Sequence, residues 1–171
     1  LDLLTEGAQA LQPGGNGIIA LDWWNGNRST LNNQNLSGTL VGLTSQSRPE
    51  DIYRALLEGV AFGSRRIVEN FEIAGLSISR IVAVGGIPAK NKLLMQICAD
   101  ILGKPIQLAN SSQGTALGAA IFGAVAAGVA KGGYDNVLKA VKRMGGLKNI
   151  IYSPDPSNHT AYNKIYADYC K

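Results

Sequence analysis

Histidine occurs once in this sequence and cysteine twice, and these scarcities exclude a good deal of chemistry. Cys98 lies in an apolar helical pattern and Cys170 next to the C-terminus, without the spacing of a metal-ligating pair. A reduced, cytoplasmic protein is the expectation. His159 sits in a polar tail beyond a proline-rich break with no partner residue nearby, a poor setting for general acid or base work. The net charge of +4 comes from scattered Lys and Arg, with no dense basic run, so no nucleic-acid partner is expected. Long hydrophobic runs are missing too. Ala116 to Ala130 is too short and too interrupted by glycine to span a bilayer. Leu1 to Leu11 has no basic start and contains Asp2 and Glu6, unlike a signal peptide.

What remains is a chain of 171 residues, 46% hydrophobic and 16% charged, which suits a soluble α/β core of one domain. The chain opens on Leu1, and residues 1–16 read as the tail of a preceding helix and a linker. Residues 17–171 read as the domain proper, and the whole as a fragment of a longer protein.

The glycine-rich break Gln12-Pro13-Gly14-Gly15-Asn16-Gly17 precedes an apolar run, Ile18 to Leu21, with the character of a buried strand. A turn of aromatic and polar residues follows, Asp22-Trp23-Trp24-Asn25-Gly26-Asn27-Arg28, then a short strand from Thr39 to Leu43. Ser47 and Glu50 have the spacing of a capping box. From there Ile52, Leu56, Val60, Gly63 and Ile67 recur at helical spacing to about Phe71. Ile81 to Val84 is a β-branched strand ending at Gly85-Gly86, and Asn91 is placed to cap a helix that stops at Gly103. A strand from Ile106 to Ala109, a small-residue helix from Ala116 to Ala127, a helix from Asp135 to Met144 and a tyrosine-rich terminal helix complete the pattern. Strand and helix alternate after residue 80, which implies a layered α/β domain.

The run from residue 81 to 102 is the best candidate site. Glycine removes side chains that keep a ligand from the backbone, a helix start offers amide donors, and an asparagine amide matches the donor and acceptor edge of a purine. The spacing fits neither a dinucleotide fingerprint nor a Walker motif. By itself, a double glycine after a strand is equally a turn, and Asn91 equally a cap. Glu58, inside an apolar helix, reads as a structural hydrogen-bonding group or an exposed one. Arg28 has a planar fork suited to phosphate or sugar and equally to a surface ion pair. Trp23 and Trp24 could border a sugar site, but neighbouring residues at a strand end point to opposite sides, so one of them is expected in the core.

Val84-Gly85-Gly86-Ile87-Pro88-Ala89-Lys90-Asn91-Lys92-Leu93-Leu94-Met95-Gln96, with Ala99-Asp100 and Pro105, closely resembles the C-terminal signature of the FGGY carbohydrate kinases. Thr115-Ala116-Leu117-Gly118-Ala119-Ala120, Leu57-Glu58-Gly59-Val60-Ala61-Phe62 and Asn25-Gly26-Asn27-Arg28 resemble further motifs of that family, in the right order. In place of the Gly-Glu-Arg loop usual in xylulose kinases stands Gly26-Asn27-Arg28 after Ala20-Leu21-Asp22-Trp23-Trp24, which looks like the ribulokinase branch.

The resemblance implies a ribonuclease H-like domain of the actin-like ATPase superfamily, a mixed sheet flanked by helices. It implies ATP with Mg2+ as cofactors, the metal held mainly through ATP and an N-terminal kinase domain in cis. Gly86 would lie against the nucleotide, Asn91 on the adenine, Gly85 in the turn, and Gly114 and Thr115 at the start of the neighbouring helix. Arg28 would approach the sugar substrate, which the N-terminal domain binds. The family's Asp-Gly-Thr phosphate segment and catalytic Asp have no counterpart here, so no catalytic residue and no metal ligand is expected in this chain. Asp22 and Asp100 are not promoted to base. A non-catalytic nucleotide-binding or interaction module, and a kinase for another sugar such as xylulose, stand as alternatives, and a homo-oligomer is possible.

Overall fold

In the computed structural model, which describes residues 2–171, the chain divides into two compact units. The first comprises the residues up to Arg80, Leu93–Pro105 and Ser153–Lys171; the second comprises Ile81–Lys92 and Ile106–Tyr152.

The first unit is built on one long helix. Helix α1 (Asp2–Gln9) packs on α2 (Pro49–Ile73), and strands β1 (Ile19–Leu21) and β2 (Thr39–Val41) pair antiparallel with Ala20 opposite Leu40. Helices α4 (Lys92–Leu102) and α7 (Pro156–Tyr169) complete it from distant parts of the chain. The apolar stripe of α2 supplies Leu57, Ala61 and Phe62, which meet Ile97 and Ile101 of α4 and Tyr162 and Tyr166 of α7. Phe62 is the hub: the Tyr162 ring meets it edge-on at 6.0 Å, and the rings of Tyr166 and Tyr169 lie 5.7 and 5.2 Å away.

The helix start differs from its expectation by one residue. Arg48 is the N-cap, its N–H donating to Asp51 Oδ2 at 2.8 Å, while Ser47 Oγ accepts from Thr44 N. Pro49 decides the matter, because proline is best placed at the first helical position, where its missing N–H costs nothing. Glu58 is a structural group, 2% exposed, bonded to Arg54 Nε at 2.8 Å, the Tyr162 hydroxyl at 2.9 Å and Gly14 N at 3.3 Å. Arg54 also donates to Ala8 O and the Tyr162 oxygen, so one buried ion pair ties α1, the Gly14 turn, α2 and α7 together. Burial pushes the Glu58 pKa up, against the opposing pull of Arg54.

Asp100 and His159 are also structural. The Asp100 carboxylate accepts from Gln96 Nε2, Asp155 N and Asn158 Nδ2, and His159 Nδ1 sits 2.7 Å from Asp100 O. Together they fasten the start of α7 to the end of α4.

The second unit is a three-stranded mixed sheet in the order β3-β4-β5. Strand β3 (Ile81–Ala83) runs parallel to β4 (Ile106–Ala109), and β5 (Leu147–Tyr152) returns antiparallel with Tyr152 opposite Ile106. Strand β5 is absent from the sequence expectations, although Ile150-Ile151-Tyr152 carries a β-rich signal. Its sheet partner is far away in sequence, with Ile106 opposite Tyr152 and Ala109 opposite Leu147, beyond any local pattern. Helices α3 (Gly86–Lys90), α5 (Gly114–Ala127) and α6 (Val137–Met144) accompany the sheet.

Candidate functional site

Five of the predicted site residues, Gly85, Gly86, Asn91, Gly114 and Thr115, fall in the second unit, and Arg28 falls in the first. Strand β3 delivers the chain to Gly85, which takes φ 109°, a conformation that favours glycine. The five residues from Gly86 to Lys90 form a short helix that follows the tight turn expected at Gly85-Gly86. Asn91 sits at its end, donating its backbone N–H to Ile87 O at 2.9 Å, and is the residue immediately before α4.

Steric requirements separate these glycines. A Cβ on Gly114 would strike Val84 Cγ1, so glycine there is what lets the start of α5 reach the end of β3. The structure thus brings Gly114-Thr115 beside the Gly85 turn. A Cβ on Gly86 would meet nothing within 4 Å, and its φ is not left-handed. Neither backbone conformation nor packing within this chain asks for glycine at Gly86. What glycine provides there is an uncovered stretch of backbone. The first turn of α5 adds donors, since Gln113 makes no side-chain cap and the opening amides of a helix have no partners within it.

The first unit carries a cavity of about 720 Å³. Its rim is the Asp22 to Leu31 loop, its floor is Val60, Gly63 and Ile67 of α2, and its end wall is Tyr169 to Lys171. Gly26, at φ 79°, turns the loop against the backbone of Gln34, where a Cβ would lie 2.5 Å from Gln34 Cα. Asn27 then pins the loop: its Oδ1 accepts from Thr30 N and Leu31 N, and its backbone exchanges two hydrogen bonds of 2.8 Å with Asn33. Trp24 is 54% exposed and Trp23 half-buried, so neither ring joins the core. The turn at Gly26 lays both along the cavity.

Asp22, Gly63 and Tyr169 are cavity residues that the sequence reading passed over as site components. A Cβ on Gly63 would lie 3.0 Å from both Asp22 carboxylate oxygens, so this glycine makes room for the carboxylate against α2. A glycine in the inward stripe of a long helix was the available signal. Burial raises the Asp22 pKa, and the Tyr169 hydroxyl, which stands beside Asp22 and the Trp23 indole, is pushed up to about 12, mainly by burial. Among the described residues no group of acidic, cysteine and histidine side chains could hold a metal ion. No helix among them is long and apolar enough to cross a membrane.

The model of the FGGY family of carbohydrate kinases, C-terminal domain, matches residues 1–127. The ribulokinase of Halalkalibacterium halodurans is 51% identical over 167 residues, covering 98% of this chain and 30% of that protein. The ribulokinase of Mycolicibacterium smegmatis is 47% identical over 166 residues, with 97% and 29% covered. Both matches therefore extend past residue 127 through β5 and α7. Among solved structures, ligand-bound xylulose kinase from Lactobacillus acidophilus is 25% identical with a TM-score of 0.82, covering 98% of this chain and 33% of that one. The xylulose kinase from Rhodospirillum rubrum is 28% identical at a TM-score of 0.80, with 99% and 32% covered. The chain spans about 30% of the length of the ribulokinases it matches. The expected actin-like ATPase fold agrees with these neighbours. Ordered motifs, fold and sequence identity coincide, and this chain belongs to the FGGY family of carbohydrate kinases, whose C-terminal domain it represents.

Proposed function

We propose that the chain is the ATP-binding part of a cytoplasmic kinase that transfers the γ-phosphoryl group of ATP to a hydroxyl of L-ribulose. The observation that carries the reading is Gly86, a glycine that the chain's own packing and backbone do not require, beside the uncapped start of α5. A nucleotide fits this arrangement. Bare backbone at Gly86 admits close approach, the amides of Gly114 and Thr115 suit anionic oxygens, and Asn91 offers an amide to the adenine edge. ATP, bound with Mg2+, supplies the transferable phosphoryl group.

The part played by these residues is positioning. Phosphoryl transfer depends mainly on placing donor and acceptor and on stabilising charge. Gly85 sets the direction of the turn, Gly86 seats the nucleotide, Asn91 fixes the base, and Gly114-Thr115 neutralises charge. The catalytic base and the metal contacts belong to the rest of the kinase, and so does most of the sugar site, with Arg28 approaching the sugar. L-ribulose is preferred to xylulose because the named ribulokinases share far more of this sequence than the named xylulose kinases.

Steady-state kinetics on the full-length kinase test this reading. Asn91→Ala is expected to raise the KM for ATP at least tenfold with little change in the KM for L-ribulose. Equal changes in both would reduce Asn91 to a structural residue, and an enzyme that binds ATP but phosphorylates no ketopentose would leave a nucleotide-binding module instead.

A further inference from the structure

The cavity of the first unit has no part in nucleotide binding as proposed, yet three separate elements hold its wall. Gly63 of α2 makes room for the Asp22 carboxylate, Tyr169 of α7 stands beside Asp22 and Trp23, and Gly38 seats the Trp24 ring, which a Cβ there would strike. Its volume of about 720 Å³ lies in the range of sites for small organic molecules.

The groups it presents define a ligand class. Of its cations, Arg66 faces Glu69 at 3.8 Å and Lys171 holds Asp168, whereas Arg28 has no hydrogen-bond or ion-pair partner among the described residues. An unpaired guanidinium fork suits a phosphate group, to which it can donate two parallel hydrogen bonds. The Asp22 carboxylate accepts hydroxyl protons, the Asn25 amide both gives and accepts, and the two indoles offer broad rigid faces to carbon-bound hydrogens. We propose that this cavity is a binding site for a sugar phosphate, with the phosphate on Arg28 and the sugar hydroxyls on Asp22 and Asn25 against the indole rings. The site lies wholly within the first unit; it rests on the reading that brings Arg28 to the sugar, and stands or falls independently of the nucleotide reading, which rests on the second.

Trp23 and Trp24 are the only tryptophans in the sequence and both line the cavity, so the chain's indole emission reports on it directly. Titration with ribose 5-phosphate is expected to give a saturable emission change. Arg28→Ala should weaken it at least tenfold without moving the thermal midpoint, because Arg28 is exposed and unpaired. Tyr169→Phe, which keeps the ring but removes the hydroxyl beside Asp22 and Trp23, should weaken it several-fold. Free ribose and inorganic phosphate should each bind at least tenfold more weakly than ribose 5-phosphate. Calorimetry on a chain of the relatives' full length should show the same dependence on Arg28. The proposal is overturned if ribose 5-phosphate gives no saturable change or if Arg28→Ala binds like the parent. It is overturned equally if inorganic phosphate matches the sugar phosphate, which is an adventitious anion site only, or if ADP matches it, which makes the cavity a nucleotide site.

Discussion

Three glycines in each unit serve different ends. In the first unit Gly26, Gly38 and Gly63 each stand where a Cβ would press on the chain's own atoms: the Gln34 backbone, the Trp24 ring and the Asp22 carboxylate. In the second unit Gly85, Gly86 and Gly118 face open space, and of these only Gly85 has a left-handed backbone that favours glycine. The first set is accounted for by folding. Gly86 and Gly118 are not, since nothing within the chain requires a small residue at either position. The contrast extends to the cores, since the first unit closes over Phe62, Tyr162 and a buried ion pair, while α5 buries only Ile121 and leaves Phe122 63% exposed.

The largest effect should come from the first unit's buried pair. Glu58→Gln leaves the Arg54 charge without its carboxylate, and a loss of about 3–5 kcal/mol in urea unfolding is expected. A near-neutral result would show that the first unit is less tightly determined than its contacts indicate. Next is Gly38→Ala, which must displace the Trp24 ring, with an expected loss of about 1–3 kcal/mol and a shift in indole emission. Gly86→Ala should change stability by no more than about 0.5 kcal/mol, the range of a substitution that touches nothing. If Gly38→Ala and Gly86→Ala proved equally destabilising, the contrast between the two sets of glycines would collapse.

The smallest effect is a titration. Because burial raises the Asp22 pKa, the folded chain holds that proton more tightly than the unfolded one. The carboxyl's contribution to stability is then greatest below the ordinary aspartate value of about 3.9 and declines as pH rises through the raised value. Indole emission should follow the same step, with a midpoint above about 3.9, and Asp22→Asn should abolish it. A midpoint at or below that value would mean that Asp22 is solvated.

Much of this was legible in the sequence because it is local. Helix α2, strands β1 to β4 and the small-residue helix α5 follow from periodicity, β-branching and glycine placement, and the ordered motifs around Gly85 and Asn91 led to the family. What escaped depends on contacts between distant residues. Strand β5 is defined by pairing with β4, and the cavity by Tyr169 standing beside Asp22 from the far end of the chain. The shift of the α2 cap from Ser47 to Arg48 is a local miss, in which Pro49 outweighed the side-chain pattern.

The claim that Gly86 is reserved for nucleotide is tested most directly by steady-state kinetics of full-length Gly86→Ala kinase alongside its thermal midpoint. The account predicts a KM for ATP raised at least tenfold, with the KM for L-ribulose and the midpoint unchanged. An unchanged KM for ATP would contradict it.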